Sequence, residues 1–466
     1  MSIWSEDVWE PAAPALPLTA SQKGLWVTHR LGPRQLYNIV IAVELDPGTD
    51  ARRIRDALAA VLTAQPALRT VVADPLTGTG RIDEPLTGGE LPFEDIGRCS
   101  AAEAGETIAR LGARHFDLER GPLLHFAHVR PDGRCVLVMA VHHIVFDGFS
   151  IQPFVDDLAR CLTAPSPAAP GDRLRATRET RLIGEHTAQA AAESSAATAR
   201  QAAELAASVA GTAPAPPVTA AAAPPAGAPE GDRTARRIRW EPDSATCAAI
   251  RSAHRALGLT AYEFFTAVHA TALHAHTGDR TVVLGSPFLA RHTFGSLGLC
   301  GFFVNTLPLA LRPGAERSFA RFATEHVAPA VTFVRDRAKV SLPQLLTVLR
   351  PERSAHRTPL FSCVLAMQDT AVCTPPVRSV RIHGNDTAKY DLWTGVTDAP
   401  GGGLTLELEH ASAVVPPAEA DALWATFGKV LHSALERPET GMPVSGPGRR
   451  STTPPSVLVK TPARRR

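Results

Sequence analysis

The sequence predicts a mixed α/β protein of two lobes, and three observations carry that prediction. Its 466 residues suffice for two domains of ordinary size, each with a core of its own. In each half, segments with strand-like alternation are followed by segments with helical spacing. Between the halves the composition shifts to alanine and proline. The 44% hydrophobic and 20% charged fractions suit a soluble globular protein, and a net charge of +2 gives no global reason to expect nucleic acid.

Taken in order, residues 17 to 31 (PLTASQKGLWVTHRL) predict a helix with its N-cap at Thr19 or Ser21 and apolar positions at Leu25, Trp26 and Leu31. YNIVIAVEL at 37 to 45 alternates as a strand, and ARRIRDALAAVLTAQ at 51 to 65 has the spacing of an amphipathic helix. The aliphatic run CVLVMAVHHIV follows the turn signal Pro131-Asp132-Gly133 and reads as a strand; FSIQPFVDDLARCL reads as the next helix, with Ser150 near its start. The alanine-rich stretch near 174 to 210 favours helix, and the proline clusters make 211 to 231 extended or disordered. The second half restarts with a strand at TARRIRWEP, helices over Ser244 to Leu257 and Thr260 to His276, and a strand at 281 to 290. KYDLWTGV and LTLELEHAS form paired strands about a glycine turn at 401 to 403, Ala418 to Glu436 closes the fold as a helix, and the tail beyond Pro438 is basic and solvated.

Seven cysteines, at 99, 135, 161, 247, 300, 363 and 373, are scattered and form no CxxC pair, so they predict reduced thiols and no metal site. The opening MSIWSEDVWEPAAP lacks the basic and apolar regions of a secretory signal. No segment approaches the roughly 18 uninterrupted apolar residues of a membrane span, so a cytoplasmic chain without a membrane partner is expected.

The chemistry-bearing stretch is AVHHIVFDGFS, Ala140 to Ser150. Side chains alternate along a strand, so His142 and His143 cannot share one task; one should look into a cavity and the other into packing. A histidine at a strand end can give or take a proton near neutrality. Asp147 could pair with the imidazole or hold the turn through a cation or backbone groups elsewhere, and Gly148 fits a close backbone approach or a positive φ. The plain alternative is two core histidines beside an ordinary helix start.

HHIVFDG resembles the HHxxxDG signature of nonribosomal peptide synthetase condensation domains, a branch of the chloramphenicol-acetyltransferase-like superfamily. Four further stretches resemble family motifs in the expected order: Thr19, Ser21, Gln22, Leu25 and Trp26; PALRTVV with Arg69; HFDLERGPLLHFAHVR; and GFFVNT with Asn305. Pro359, Leu360 and Phe361, within 350–369, resemble the family's final motif, an arginine and Pro-Leu-Phe before a strand. The chain departs from the pattern at Gly24, where arginine is common, and in the crossover helix, which lacks the usual tyrosine motif and tryptophan.

The resemblance implies two acetyltransferase-like lobes arranged in a V about a channel: residues 1–165 as the first, 166–234 as crossover helix and loop, 235–438 as the second, and 439–466 as a tail. It implies that His143 deprotonates or positions an acceptor nucleophile while His142 is structural. It further implies that Arg69 pairs with Asp147 to shape the turn and that Asn305 supports the lobe interface facing the channel. The chain would bind no cofactor of its own. Its donor would arrive as a thioester on the phosphopantetheine arm of an acyl or peptidyl carrier protein met in trans, since no adenylation signature or carrier serine motif is present. The acceptor would be an amine or alcohol, free or carrier-bound. Epimerisation domains carry a catalytic glutamate motif that PFLARHTFGSLG lacks, and heterocyclisation domains replace the histidines by aspartates. A CoA-dependent acyltransferase and a catalytically silent recruitment module stand as alternatives.

Overall fold

The structure, a computed structural model, describes residues 16–210, 232–314, 318–351, 359–369, 371–399 and 402–439. The segment 211–231, the glycine at 401 and the tail beyond 439 lie outside the described residues.

Two sheets organise the chain. The first runs in the order Val377–His383, Asn38–Leu45, Cys135–His142, Leu124–Pro131, Phe93–Cys99, antiparallel except for its last pair. Cys135–His142 is its centre and every one of its residues is buried, which is why it reads as a continuous apolar run. The second sheet runs Val304–Leu311, Val282–Leu289, Cys363–Asp369, Leu392–Ala399, Gly403–Ala411, Ala235–Trp240, parallel only where Cys363–Asp369 meets its neighbours. Each sheet has its own apolar core. The mixed α/β class is therefore as expected.

Local signals account for most elements. Thr19 caps the helix Ala20–Leu31 in a capping box with Gln22, which decides between the two candidate caps. Asp50 caps Ala51–Ala64, and Thr260 and Glu263 form the capping box of Ala261–Thr277, which Gly278 ends in the left-handed conformation. Ala51–Ala64 packs with Ile151–Thr163 and Ala168–Glu193 in the first half, and Ala261–Thr277 packs with Pro417–Glu436 in the second.

Two elements differ from expectation. The stretch expected as one crossover helix is two, Ala168–Glu193 and Ala196–Val209, with Ser195 capping the second by accepting the Thr198 N–H at 3.1 Å. The strand Val377–His383 falls within the range expected for the second lobe yet forms an edge of the first sheet, paired with Asn38–Leu45. Its VRSVRIH pattern is largely exposed or half-buried, as an edge strand allows, and gives little alternation to read. The chain then returns to the second sheet through residues 384–391, so the two halves share a strand as well as a surface.

Candidate active site

The central strand of the first sheet stops at His142, the last residue paired across it, opposite Asn38. His143 opens a short 3-10 turn, His143–Val145, and donates its N–H to the Tyr37 carbonyl at 2.8 Å. A change of backbone, added to strand alternation, thus separates the two histidines. Gln22 holds this turn from the helix Ala20–Leu31 by donating from Nε2 to the Ile144 carbonyl at 2.9 Å.

His142 is fully buried, accepts the Ile144 N–H at Nδ1 at 3.1 Å and meets the His29 ring edge-on at 5.0 Å between centroids. Burial first, then the neighbouring His29 and Lys389, hold its pKa well below the usual histidine value. His143 is only half-buried. Its ring stands edge-to-face against Phe302 of the second half at 5.1 Å and 6.4 Å from the Tyr37 ring. Burial and then the Lys389 ammonium push its pKa well down, against the opposing pull of the His143 and Phe146 carbonyls. Its Nδ1 is enclosed without a hydrogen-bonded partner. The ring is therefore neutral at physiological pH.

Asp147 is fully buried and bonds neither histidine. Its Oδ2 accepts the Phe303 N–H at 2.8 Å and its Oδ1 accepts the Ser150 hydroxyl at 2.9 Å. Burial raises its pKa, opposed first by the Arg291 charge and then by these hydrogen bonds. Ser150 also accepts the Gly301 N–H at 3.0 Å. Gln65 accepts the Cys300 N–H at 2.8 Å and donates to the Gly298 carbonyl at 3.1 Å. The turn of the first half is thus stitched to residues 298–303 of the second. A side chain at Gly301 would collide with the Phe303 ring, so this close approach needs glycine.

Three expectations need correction. Arg69 does not pair with Asp147. It ends a 3-10 turn, Pro66–Arg69, and donates to the Leu62 and Asp83 carbonyls and to Glu179 at 2.6 Å. The Leu62 carbonyl belongs to the C-terminal end of the helix Ala51–Ala64, which attracts a cation, and Glu179 comes from the crossover helix. The cation acting on Asp147 is Arg291, whose guanidinium donates to the Ser296 and Leu299 carbonyls and stacks on Phe303 at 4.3 Å. Gly148 has neither a positive φ nor a close neighbour: it is exposed, and no atom lies within 4 Å of where a Cβ would stand. Asn305 is buried with its amide donating to the Ala338 carbonyl at 3.0 Å and to that of Val340, so it clamps its own lobe and does not face a channel.

Beside Gly148 lies a cavity of about 280 Å³ whose lining includes Phe149, Leu297, Arg160, Arg178 and Arg291. Apolar rings and guanidinium groups share this mouth. Among the described residues, no group of three or more His, Cys, Asp or Glu could hold a metal ion, and no helix is long and apolar enough to cross a membrane. Sequence reasoning missed Tyr37, Lys389 and Gln65, which carry no motif signal. Phe302, Ser150 and Gln22 lay inside motifs without a role being assigned.

The family model described as Condensation domain matches residues 13–443. The phosphinothricin tripeptide synthetase PhsC of Streptomyces viridochromogenes is 28% identical over 455 residues, covering 91% of this chain and 39% of that protein. The chain thus spans well under half of this relative. Among solved structures, the first condensation domain of the calcium-dependent antibiotic synthetase, in complex with a substrate analogue, is 22% identical with a TM-score of 0.75, covering 92% of this chain and 98% of that one. The X-domain of teicoplanin biosynthesis, solved in complex with OxyB, is 20% identical with a TM-score of 0.70, covering 94% and 97%. These likenesses show that the chain shares the fold of these domains.

Proposed function

The chain belongs to the condensation-domain family of amide-forming acyltransferases, and on that premise we propose that it transfers an acyl or aminoacyl group from a carrier-protein phosphopantetheine thioester to an amine or alcohol. The observation that carries this reading is a half-buried imidazole, His143, at the seam of two lobes, its ring against Phe302 of the second half and its pKa lowered by burial.

Nδ1 of His143 is enclosed without a partner, so in this reading the ring meets the nucleophile through Nε2, the acceptor of the neutral imidazole. The nucleophile donates a hydrogen bond to Nε2 and is thereby oriented toward the thioester carbonyl. Its lone pair forms the new C–N or C–O bond, and the tetrahedral intermediate collapses with loss of the pantetheine thiolate. The proton leaves the nucleophile through Nε2 and ends on that thiolate. Burial and the nearby Lys389 lower the pKa of His143, which favours a positioning part for it in this reading. An amine needs little more, whereas an alcohol depends more steeply on the base. His142 packs, and Asp147 holds the seam. The mouth beside Gly148 has apolar walls at Phe149 and Leu297 and a charged side at which Arg160 and Arg178 are both paired with Asp157, so in this reading it receives the thin, uncharged part of the donor arm.

The test is intact-protein mass spectrometry of acyl-loaded carrier with this protein and a panel of amines and alcohols, beside an arm with the matching acyl-CoA. Acyl loss from the carrier with an acylated acceptor supports the reading, and the accepted nucleophile decides amide or ester. Transfer from acyl-CoA alone would establish the CoA-dependent alternative. Carrier binding with no transfer would favour a recruiting module, as the similarity to a domain solved in complex with OxyB allows.

A further inference from the structure

Residues 384–391 carry the chain from the edge of the first sheet back to the second, and Lys389 is mounted on this crossing. The mount is rigid. Arg233 donates from Nε to the Ala388 carbonyl at 2.9 Å and pairs with Asp391 at 2.9 Å, and the Ala388 N–H donates to the Arg233 carbonyl at 2.7 Å. Between these two anchors, Nζ of Lys389 lies 5.7 Å from the centre of the Tyr37 ring. That ring stands 6.4 Å from each of His142 and His143. Among the described residues no hydrogen bond or ion pair engages the Lys389 ammonium; Glu409, which acts on it electrostatically, is bound to Arg237 at 2.5 Å. Lys389, Tyr37 and His143 are all half-buried.

We infer that Lys389 is a positioning residue for the transfer reaction, an ammonium seated by the face of Tyr37 whose charge disfavours a proton on the His143 ring beside that same tyrosine. The inference rests on the proposed acyl transfer and assigns it a residue on the strand-crossing segment. A cation by an aromatic face is held without a carboxylate that would cancel its field. Like charge disfavours a second proton nearby, and the half-buried setting weakens screening. The groups facing the pair are few. His142 adjoins His143 on the turn, and His29 faces His142 from the helix Ala20–Leu31. Thr28 and Arg233 act on Tyr37, while Glu409 and Arg237 act on the lysine. Burial lowers the pKa of Lys389 to about 8, so it remains mostly charged at neutral pH and wholly so on the acid side where His143 would titrate.

The experiment compares Lys389→Met and Lys389→Arg in the whole chain. NMR titration of labelled histidine, with the His143 signal assigned by its loss in His143→Ala, reads the ring directly. The Met variant should raise the His143 midpoint by about half to one pH unit and Arg should restore it. The acid limb of the transfer rate should move up by the same amount, a loss of about threefold to tenfold at a pH on that limb. A His143 midpoint unmoved in the Met variant would overturn the inference, as would equal rate losses at every pH in both variants, the sign of a packing role. The titration needs no turnover, so a moved midpoint with no transfer from any donor would count against the transfer reading alone.

Discussion

The two segments that meet at the seam, HHIVFDG and CGFFVN, are both apolar runs carrying a few polar residues, yet they treat those residues oppositely. In the second, Asn305 and the backbone N–H groups of Cys300, Gly301 and Phe303 are all engaged in hydrogen bonds. In the first, Asp147 is engaged in the same way and His142 through Nδ1, with its Nε2 enclosed, while His143 keeps a half-buried ring flanked by the Tyr37 and Phe302 rings. Chemistry belongs where a polar group is positioned by its backbone and left open at its tip. The satisfied groups build the frame.

That contrast predicts losses of stability for the frame, in descending order. Asp147→Ala should cost about 3 to 4 kcal/mol in denaturant unfolding, because the Phe303 N–H and the Ser150 hydroxyl lose their acceptor inside the seam. If stability held and only turnover fell, Asp147 would belong with the chemistry instead. Arg69→Met should cost about 3 kcal/mol, since it deprives the Leu62 and Asp83 carbonyls of a buried donor and Glu179 of a cation. Asn305→Ala should cost about 2 kcal/mol and loosen residues 338–340, visible as faster amide exchange there. An unchanged exchange pattern would contradict the clamp.

A core histidine sharpens the comparison further. His269 is buried in the helix Ala261–Thr277 with neither ring nitrogen bonded, and burial alone lowers its pKa to about 4. Native protein refuses a proton that the unfolded chain accepts near pH 6.5, so this residue's stability contribution is present above pH 6.5 and is lost as pH falls toward 4. His269→Phe should recover on the order of 1 kcal/mol at pH 5.5 relative to pH 7.5, read from paired melts. No difference between the two pH values would show that His269 finds a partner or water in solution.

The elements with long periodic runs were legible in the sequence, because helical spacing and capping residues such as Thr19, Asp50 and Thr260 are local signals. The His143 turn was legible through its family motif. What sequence could not show is pairing between distant residues. Arg69 was expected on Asp147, but its place beyond the end of the helix Ala51–Ala64 directs it to that helix's carbonyls, and Arg291 supplies the charge by Asp147 from the other lobe. Gly148 was expected to serve backbone geometry and instead borders open space. Lys389 reaches the histidines only because the chain lends a strand to the first sheet and must cross back, a topology that no periodicity records.

The central claim is that the open imidazole performs the transfer while the frame merely holds it. Single-turnover kinetics of acyl loss from a loaded carrier, for wild type and His143→Ala beside their melting temperatures, test it most directly. The account predicts a rate loss of about 100-fold or more with an unchanged melting temperature. A His143→Ala protein that folds normally and transfers at the wild-type rate would contradict it.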